Sequence, residues 1–506
     1  MRVPGQQLHQ AAGGNLRRRD QGVPQPVGIA ALAARQRLRR RRARRPDHAH
    51  SAQGTGVGRL RASAAERPDP VAFGDLGAQG REGHPGPARC HRPRLAPQRL
   101  AARGRRAQRP AAVAGAARPA REIPRRGPPG GQPAMSGQAM AKVGADALRE
   151  LTAAVLAAWG MPAVAAEETA ALIVETDLAG IDSHGVSMLP FYETLREAGG
   201  WVPDAEPRVV RESPCTALLD GGHGLGHRTA MQAMRLAADK AQGVGLGAVA
   251  VRNSNHFGAA GLYARAAAER GLIGLVASTT RSPMLVPTRA RVPVLGTNPI
   301  AFAAPARRNR PFVLDMATTT VAANKVKVYD LQGKDIPPGW VVDEAGRPVT
   351  AGERAMEYLF RRPEGGLTAL GGVAELGSHK GYGLGMLAQI LAGPLCGAAF
   401  GARREADEKP NIGHFFLALD PRAFRDADEF EDELDAIVDA LHATPAADPA
   451  LPVLVAGDPE AQTRETRLRE GIPLPDRLQA QLREICRRSG VAYRLEGVAP
   501  SPEVAR

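Results

Sequence analysis

The chain has 506 residues, 43% of them hydrophobic, which is enough for two or more domains with real cores. Its four cysteines (Cys90, Cys215, Cys396, Cys486) are far apart and form no C-x-x-C pair, and no apolar run approaches the ~20 residues a membrane-spanning helix needs. The net charge of +15 is misleading, because residues 1–135 hold 28 Arg, no Lys and 7 acidic residues, whereas residues 136–506 hold 39 basic and 45 acidic groups.

With 16 Pro, 18 Gly and one aromatic residue, Phe73, residues 1–135 cannot bury enough apolar surface to fold alone. They are expected to be a disordered Arg/Pro/Gly-rich extension, or sequence ahead of a true start near Met135 or Met140. RQRLRRRRARRP (residues 35–46) has the charge to bind nucleic-acid phosphates, but no aromatic is interleaved to stack bases and no nucleic-acid motif follows. Nucleic-acid binding is therefore the weaker reading. The amino terminus lacks a secretory apolar segment, and the expected location is cytoplasmic.

From about 143 to 200, apolar residues recur at three and four spacing in ADALRELTAAVLAAWG and EETAALIVETDLAGID, which predicts helices broken at DSHG. Short apolar runs of strand length follow: TALLD, LGAVAVR, GLIGLVAS, ARVPVLG, IAFAAP, PFVLDM and HFFLALD. Helical stretches such as GHRTAMQAMRLAADKAQG and GYGLGMLAQILAG lie between several of them, so an α/β sheet domain is predicted. Helical periodicity returns in residues 424–444 and 474–488. The division expected is a helical region at 143–215, an α/β domain at 216–420 and a helical region at 421–500.

GVGLGAVAV and GYGLG alternate glycines, but neither fits G-x-G-x-x-G between a strand and a helix with an acid about 20 residues on, so a Rossmann cradle is not expected. Among the histidines, His223 and His227 of HGLGH have the spacing of a helical zinc pair. The intervening glycines argue against helix, and no metal site is expected. His414 and His442 read as structural. His256 in NSNHFG and His184 in DSHG differ, since each sits among small polar residues and glycine at an element boundary, where the ring can face a pocket. In LDMAT, Asp315 ends an apolar run; in GSHKGYGLG, Lys380 stands among glycines that allow backbone N–H groups and an ammonium to converge on an anion.

Together these segments resemble the non-Rossmann malate/L-lactate dehydrogenase family, which includes ureidoglycolate, sulfolactate and cyclic-imine carboxylate oxidoreductases. The resemblance runs from about 143 to 495 through DLAGIDSHGV, NSNHFG, GLIGLVAS, GTNPIAFAAP, LDMATT, NKVKV, IPPGWVVDEAGRPVT, GSHKGYGL, GDPE and REGIPLP. It implies a homodimeric α/β oxidoreductase with a non-Rossmann nicotinamide-binding sheet domain, acting with NAD or NADP on a small 2-hydroxy or 2-oxo acid. Ketimine reduction of a cyclic-imine carboxylate is the alternative.

By the same resemblance, His256 is the proton acceptor and His184 a second histidine beside the substrate, with Ser183, Tyr192 and Asn255 as substrate contacts. The implied cofactor contacts are Thr280 or Ser278, then Asp315, Met316, Ala317, Lys380, Gly457 and Asp458. Two positions depart from the family. Ala456 stands where proline usually precedes Gly457, and Met188 stands where an arginine commonly clamps the substrate carboxylate. Either another cation, Arg252 or Arg281, supplies that charge, or the substrate is not an ordinary 2-hydroxy acid.

Overall fold

The computed structural model describes residues 141–331, 333–403 and 408–495. The expected disordered extension, its arginine run and Cys90 lie outside the described residues. Strand β1 (Ala141–Val143) leads into α1 (Ala145–Ala158), α2 (Ala163–Leu178) and α3 (Leu189–Glu197). Then come β2 (Arg208–Glu212), β3 (Thr216–Asp220), α4 (Gly226–Val244), β4 (Leu246–Ser254), α5 (Gly261–Ala268), β5 (Ile273–Ser278), β6 (Leu285–Val286), β7 (Ile300–Ala304) and β8 (Phe312–Met316). A smaller unit follows, with α6 (Ala323–Leu331), β9 (Val341–Val342), β10 (Pro348–Val349), α7 (Gly352–Phe360) and β11 (Gly366–Thr368). The described chain finishes with α8 (Ser378–Ala392), β12 (Ile412–Leu419), α9 (Glu429–His442), α10 (Asp458–Glu470), β13 (Ile472–Leu474) and α11 (Asp476–Ser489).

The main sheet has seven strands in the order β2-β3-β4-β12-β5-β7-β8, antiparallel except for β3 beside β4. Its central strand, IGHFFLAL, is buried along most of its length, as a strand covered on both faces must be. At the edge, RVVRE is exposed throughout and carries charges that discourage further pairing. The alanine-rich faces of α4 and α5 pack on this sheet with Tyr263, Val249, Val276 and Phe416. A four-stranded sheet, β10-β9-β11-β6, packs with α6 and α7 around Val326, Val341, Tyr358 and Leu367.

The helical regions expected separately at 143–215 and 421–500 share one core. Leu148, Leu156, Ile173, Leu189 and Tyr192 from the first pack with Ile472, Leu482 and Ile485 from the second, and β1 pairs with β13. Burying such a side chain contributes about 1.5–3 kcal/mol, so each segment depends on the other. By contrast, α9 is tied to residues 308 and 309, whose N–H groups donate to Asp435.

One expectation is corrected. ARVPVLG forms no strand: it makes a single bridge, Leu295 to Leu285, because Pro293 has no N–H with which to continue a ladder. GSHKGYGLG extends the helix expected over GYGLGMLAQILAG, which starts earlier, at Ser378. Its glycines serve close packing. A Cβ at Gly381 would stand 2.2 Å from Leu370 O, and one at Gly385 would stand 3.1 Å from Thr318 Oγ1. Among the described residues no helix is long and apolar enough to cross a membrane, and Cys215, Cys396 and Cys486 are free thiols.

The glycines of α8 give a direct test. A methyl group added at Gly383 would meet nothing within 4 Å, so Gly383→Ala should raise unfolding free energy by about 0.5–1 kcal/mol through helix propensity. Gly381→Ala meets a rigid backbone oxygen and should lower it by about 1–3 kcal/mol. Urea denaturation of both variants reads the contrast; equal shifts of one sign would contradict the packing assignment.

Candidate active site

Strands β4, β5 and β8 finish at the end of the sheet where β7 and β12 begin. The register sets Ser254 opposite Ile412, Ser278 opposite His414, Ala277 opposite Ile300, and Met316 also opposite Ile300. The segments carrying His256, Thr280, Asn298 and Asp315 therefore leave the sheet at one end, spread across neighbouring strands.

NSNHFG is held there by side chains acting on backbone. Asn253 sits at φ +50, where its N–H donates to Asn411 Oδ1 (2.7 Å) and its amide donates to Asp220 Oδ2 (2.8 Å). The Asn255 amide donates to the carbonyls of His223 (2.9 Å) and Gly224 (3.2 Å), leaving its own Oδ1 buried without a protein partner. Gly226, at the start of α4, donates its N–H to His256 O (2.9 Å). A Cβ there would stand 2.4 Å from Asn255 O, which gives the second glycine of HGLGH its purpose. Gly258 adopts φ +75, a conformation glycine reaches without strain, and so turns the chain into α5. Asp315 then anchors that helix, accepting from Gly261 N at 2.7 Å.

His256 Nδ1 lies 2.7 Å from Tyr192 Oη and 3.3 Å from Gly258 N. His184 stacks on it, with ring centroids 5.4 Å apart and planes at 24°, and Ser183 Oγ lies 2.7 Å from His184 Nδ1. In DSHG, Gly185 is required because the Asp177 carboxylate, which accepts from Val186 N, fills the space a Cβ would take. Behind the pair stands His227, fully buried in the first turn of α4, edge-on to Tyr192 at 5.8 Å and with both ring nitrogens unpartnered.

Burial, then the neighbouring His184, His227 and His414, holds the His256 pKa well below that of an ordinary imidazole. Burial lowers His184 in the same way and takes His227 to about 3. Burial raises the Tyr192 phenol, so it stays protonated. The cluster is a neutral, hydrogen-bonded acid–base pair in its resting state.

The remaining expected residues fall as follows. Ser278 is buried and bonded to His414 Nδ1 (2.8 Å), whose Nε2 meets Ser254 Oγ (3.0 Å), so His414 cross-links the ends of β4 and β5. Thr280 Oγ1 is buried without a partner, and of the two alternatives it is the one with an unused hydroxyl. Asp315 keeps exposed surface, yet surrounding protein pushes its pKa up to about 6 against the opposing hydrogen bond from Gly261. Met316 ends β8, and Ala317 leads to Thr318, which donates to Thr297 O and touches α8 at Gly385. Lys380 is exposed in the first turn of α8. Gly457 abuts Val313 of β8, and the Asp458 carboxylate accepts from Val455 N and meets His442 Nε2.

Met188 packs against the helical core. Arg252 is paired with Asp220 at 3.2 Å, while Arg281 follows Thr280 at the sheet end. Among the described residues no group of three His, Cys, Asp or Glu could hold a metal ion. Sequence reasoning did not single out Asn298, although it lies in GTNP, and assigned His227 only to a rejected metal pair. Burial with unused polar atoms marks both, and that signal exists only in three dimensions.

The chain is 38% identical over 353 residues to malate dehydrogenase of Pyrococcus horikoshii, covering 69% of this chain and 96% of that protein. The solved structure of that enzyme superposes with a TM-score of 0.63, covering 71% of this chain and 98% of its own. L-sulfolactate dehydrogenase of Methanothermobacter thermautotrophicus is 35% identical, covering 66% and 93%. A Δ1-piperideine-2-carboxylate reductase structure from Pseudomonas syringae superposes at 26% identity with a TM-score of 0.60, covering 68% and 99%. Fold and relatives together define an α/β oxidoreductase of the malate, lactate and sulfolactate dehydrogenase type. The chain belongs to the malate/L-lactate dehydrogenase family, whose model matches residues 143–483.

The buried imidazoles make stability depend on pH. His227 and His414 are pushed to about 3 in the folded state against an ordinary 6.5, so their contribution is complete above 6.5 and is lost as pH falls toward 3. Asp177, raised to about 8, has the opposite sign between its ordinary 3.8 and that value. Unfolding free energy measured from pH 7 to 5 should fall less steeply in His414→Gln than in the unsubstituted protein; parallel curves would contradict the assignment.

Proposed function

We propose that the chain is an NAD(P)-dependent oxidoreductase that moves hydride between nicotinamide and the carbinol carbon of a small 2-hydroxy acid, and that in reverse it reduces the 2-oxo acid. The observation that carries this reading is the Tyr192–His256 hydrogen bond at the sheet end, beside the segments bearing Thr280 and Asp315. A dehydrogenase needs a base that is unprotonated at the working pH to take the hydroxyl proton, and a buried imidazole held neutral meets that need.

To act as the base, His256 must carry its proton on Nδ1, donating to Tyr192 Oη and giving up the long 3.3 Å contact from Gly258 N–H, which leaves the Nε2 lone pair for the substrate hydroxyl. As Nε2 takes the proton, the phenol stays neutral and its oxygen accepts the strengthened N–H bond. His184, stacked alongside and tied to Ser183, bounds the substrate on the other face, with Asn255 beneath.

The dinucleotide, when bound, supplies the hydride acceptor. The residues present fit it: Thr280 offers a buried hydroxyl without a protein partner, which is the state of a group that serves a ligand. Asp315, Met316, Ala317, Gly457 and Asp458 would contact it, and Lys380 would face its phosphates. Exposed Leu384, Leu387, Ile390 and Leu395 on and just after α8 support a homodimer, and the free thiols fit a cytoplasmic location.

A second reading, reduction of a cyclic-imine carboxylate, is favoured by the likeness to the piperideine-carboxylate reductase. The same His256, once protonated, would donate to an imine nitrogen.

Malate, lactate, ureidoglycolate and piperideine-2-carboxylate, each assayed with NAD and NADP in the appropriate direction, separate the two. His256→Ala should lose about 10²- to 10⁴-fold in kcat with cofactor Kd unchanged, and Tyr192→Phe about tenfold. Because the His256 pKa is depressed, kcat/KM for hydroxy-acid oxidation should stay level down to pH 6.5 and fall only below it, whereas reduction should gain as pH falls. An oxidation limb above pH 7 that survives His256→Ala would remove His256 from the mechanism.

A further inference from the structure

Helix α10 buries none of its residues fully, so apolar packing alone does not seat it against α2. Arginines do. Arg464 and Arg467, one turn apart, reach the carboxy-terminal end of α2, where Arg464 Nε donates to Glu175 Oε1 at 2.7 Å and Arg467 Nη1 donates to Asp177 O at 2.6 Å. Carbonyls in the last turn of a helix lack intrahelical donors, and a cation placed there satisfies one of them. The same guanidinium closes on the Asp182 carboxylate with both terminal nitrogens, Nη1 to Oδ1 and Nη2 to Oδ2, the latter at 3.1 Å. Arg467 keeps only 13% of its side chain exposed, which separates it from a solvated surface pair.

What Arg467 grips is the turn that carries Ser183 and His184. Asp177 holds that turn from its other side, because its carboxylate accepts from Val186 N at 2.8 Å. Inside the turn, His184 N donates to Ile181 O at 2.9 Å and Ser187 Oγ donates to Asp182 O. Every residue from Ile181 to His184 keeps exposed surface, so polar contacts rather than packing set this stretch. His184 thus stands between fixed points at 177, 182 and 186, with its ring stacked on His256 at 5.4 Å.

We infer that Arg467 is a positioning residue for His184: by clasping Asp177 O and the Asp182 carboxylate, it sets the turn that holds the His184 ring against His256. The inference rests on the placing of His184 and His256 in the active site, and it extends that site to a helix far along the chain. Its consequence is that the effect of Arg467 on turnover passes through His184. Arg467 also lines a surface groove of about 280 Å³ with Thr463 and Thr466, which gives a free guanidinium ion a way to the place of a truncated arginine.

The test is a double-mutant cycle on the full chain, read with whichever of malate, lactate and ureidoglycolate it oxidises best. Arg467→Ala should lower kcat/KM about ten- to hundredfold with cofactor Kd unchanged. Guanidinium chloride at millimolar concentration should restore much of the loss, and sodium chloride should not. With His184→Ala already present, the same substitution should cost no more than about twofold. Independently of turnover, diethyl pyrocarbonate should modify His184 several-fold faster in Arg467→Ala, while the exposed His379 on α8 reacts at an unchanged rate. Asp182→Asn alters an exposed side chain and should show both effects at smaller size, so it carries the test if Arg467→Ala does not fold. An undiminished loss in the His184→Ala background, or an unchanged rate of His184 modification, would overturn the inference. A chain that turns over none of the substrates would remove the functional reading instead, and the modification rate alone would then decide whether Arg467 holds the turn.

Discussion

A phenol from the helical layer meets an imidazole at the end of the sheet, Tyr192 Oη to His256 Nδ1 at 2.7 Å; Tyr192 belongs to the helical core, whereas His256 directly precedes Phe257 of the sheet core. A hydrogen bond loses most of its value within an ångström of displacement, so this contact demands that the two layers be held in register. On one side, Trp201 Nε1 donates to Tyr192 O, and Arg488 of α11 pairs with the buried Glu193. On the other, the Asn255 amide and Gly226 N–H fix the backbone around His256. The carboxy-terminal helix thus supports the geometry of a residue near position 192 that it follows by almost three hundred positions.

The strands were legible where an apolar run of strand length is bounded by glycine, proline or polar residues, as in LGAVAVR, IAFAAP and HFFLALD. Their order was not. Strand β12 enters between β4 and β5 from far along the chain, and a long-range pairing leaves no local mark. In GSHKGYGLG the glycines at 381 and 385 clear space for Leu370 and Thr318 on one helix face, a use that composition alone does not reveal. His256 stood out in the sequence at a strand end among small polar residues, and the fold sets it there against Tyr192. Asn298 stands in a similar turn but bears no titratable group, so only its burial and unused oxygen draw notice.

Polar satisfaction explains why the site lies where it does. Backbone groups released at the strand ends are taken up by Asp220, Asp315, Asn255 and Asn411, which is why acids and amides crowd this end of the sheet. After that, His227, Asn255 Oδ1, Thr280 Oγ1 and Asn298 Oδ1 remain buried without partners. Such atoms are uncommon in native interiors, and two of these residues, His227 and Asn255, stand directly beside His256.

The electrostatics of this surface bear on direction and substrate. A cluster of imidazoles in a low-dielectric pocket stays neutral because each proton would meet desolvation and its neighbours. That favours the base role and opposes the acid role needed for reduction. An anionic substrate changes the balance, because a carboxylate or sulfonate placed within a few ångströms favours the imidazolium and raises the His256 pKa. On the proposed chemistry, substrate binding and proton uptake are linked: an anionic substrate would recruit the proton that reduction consumes.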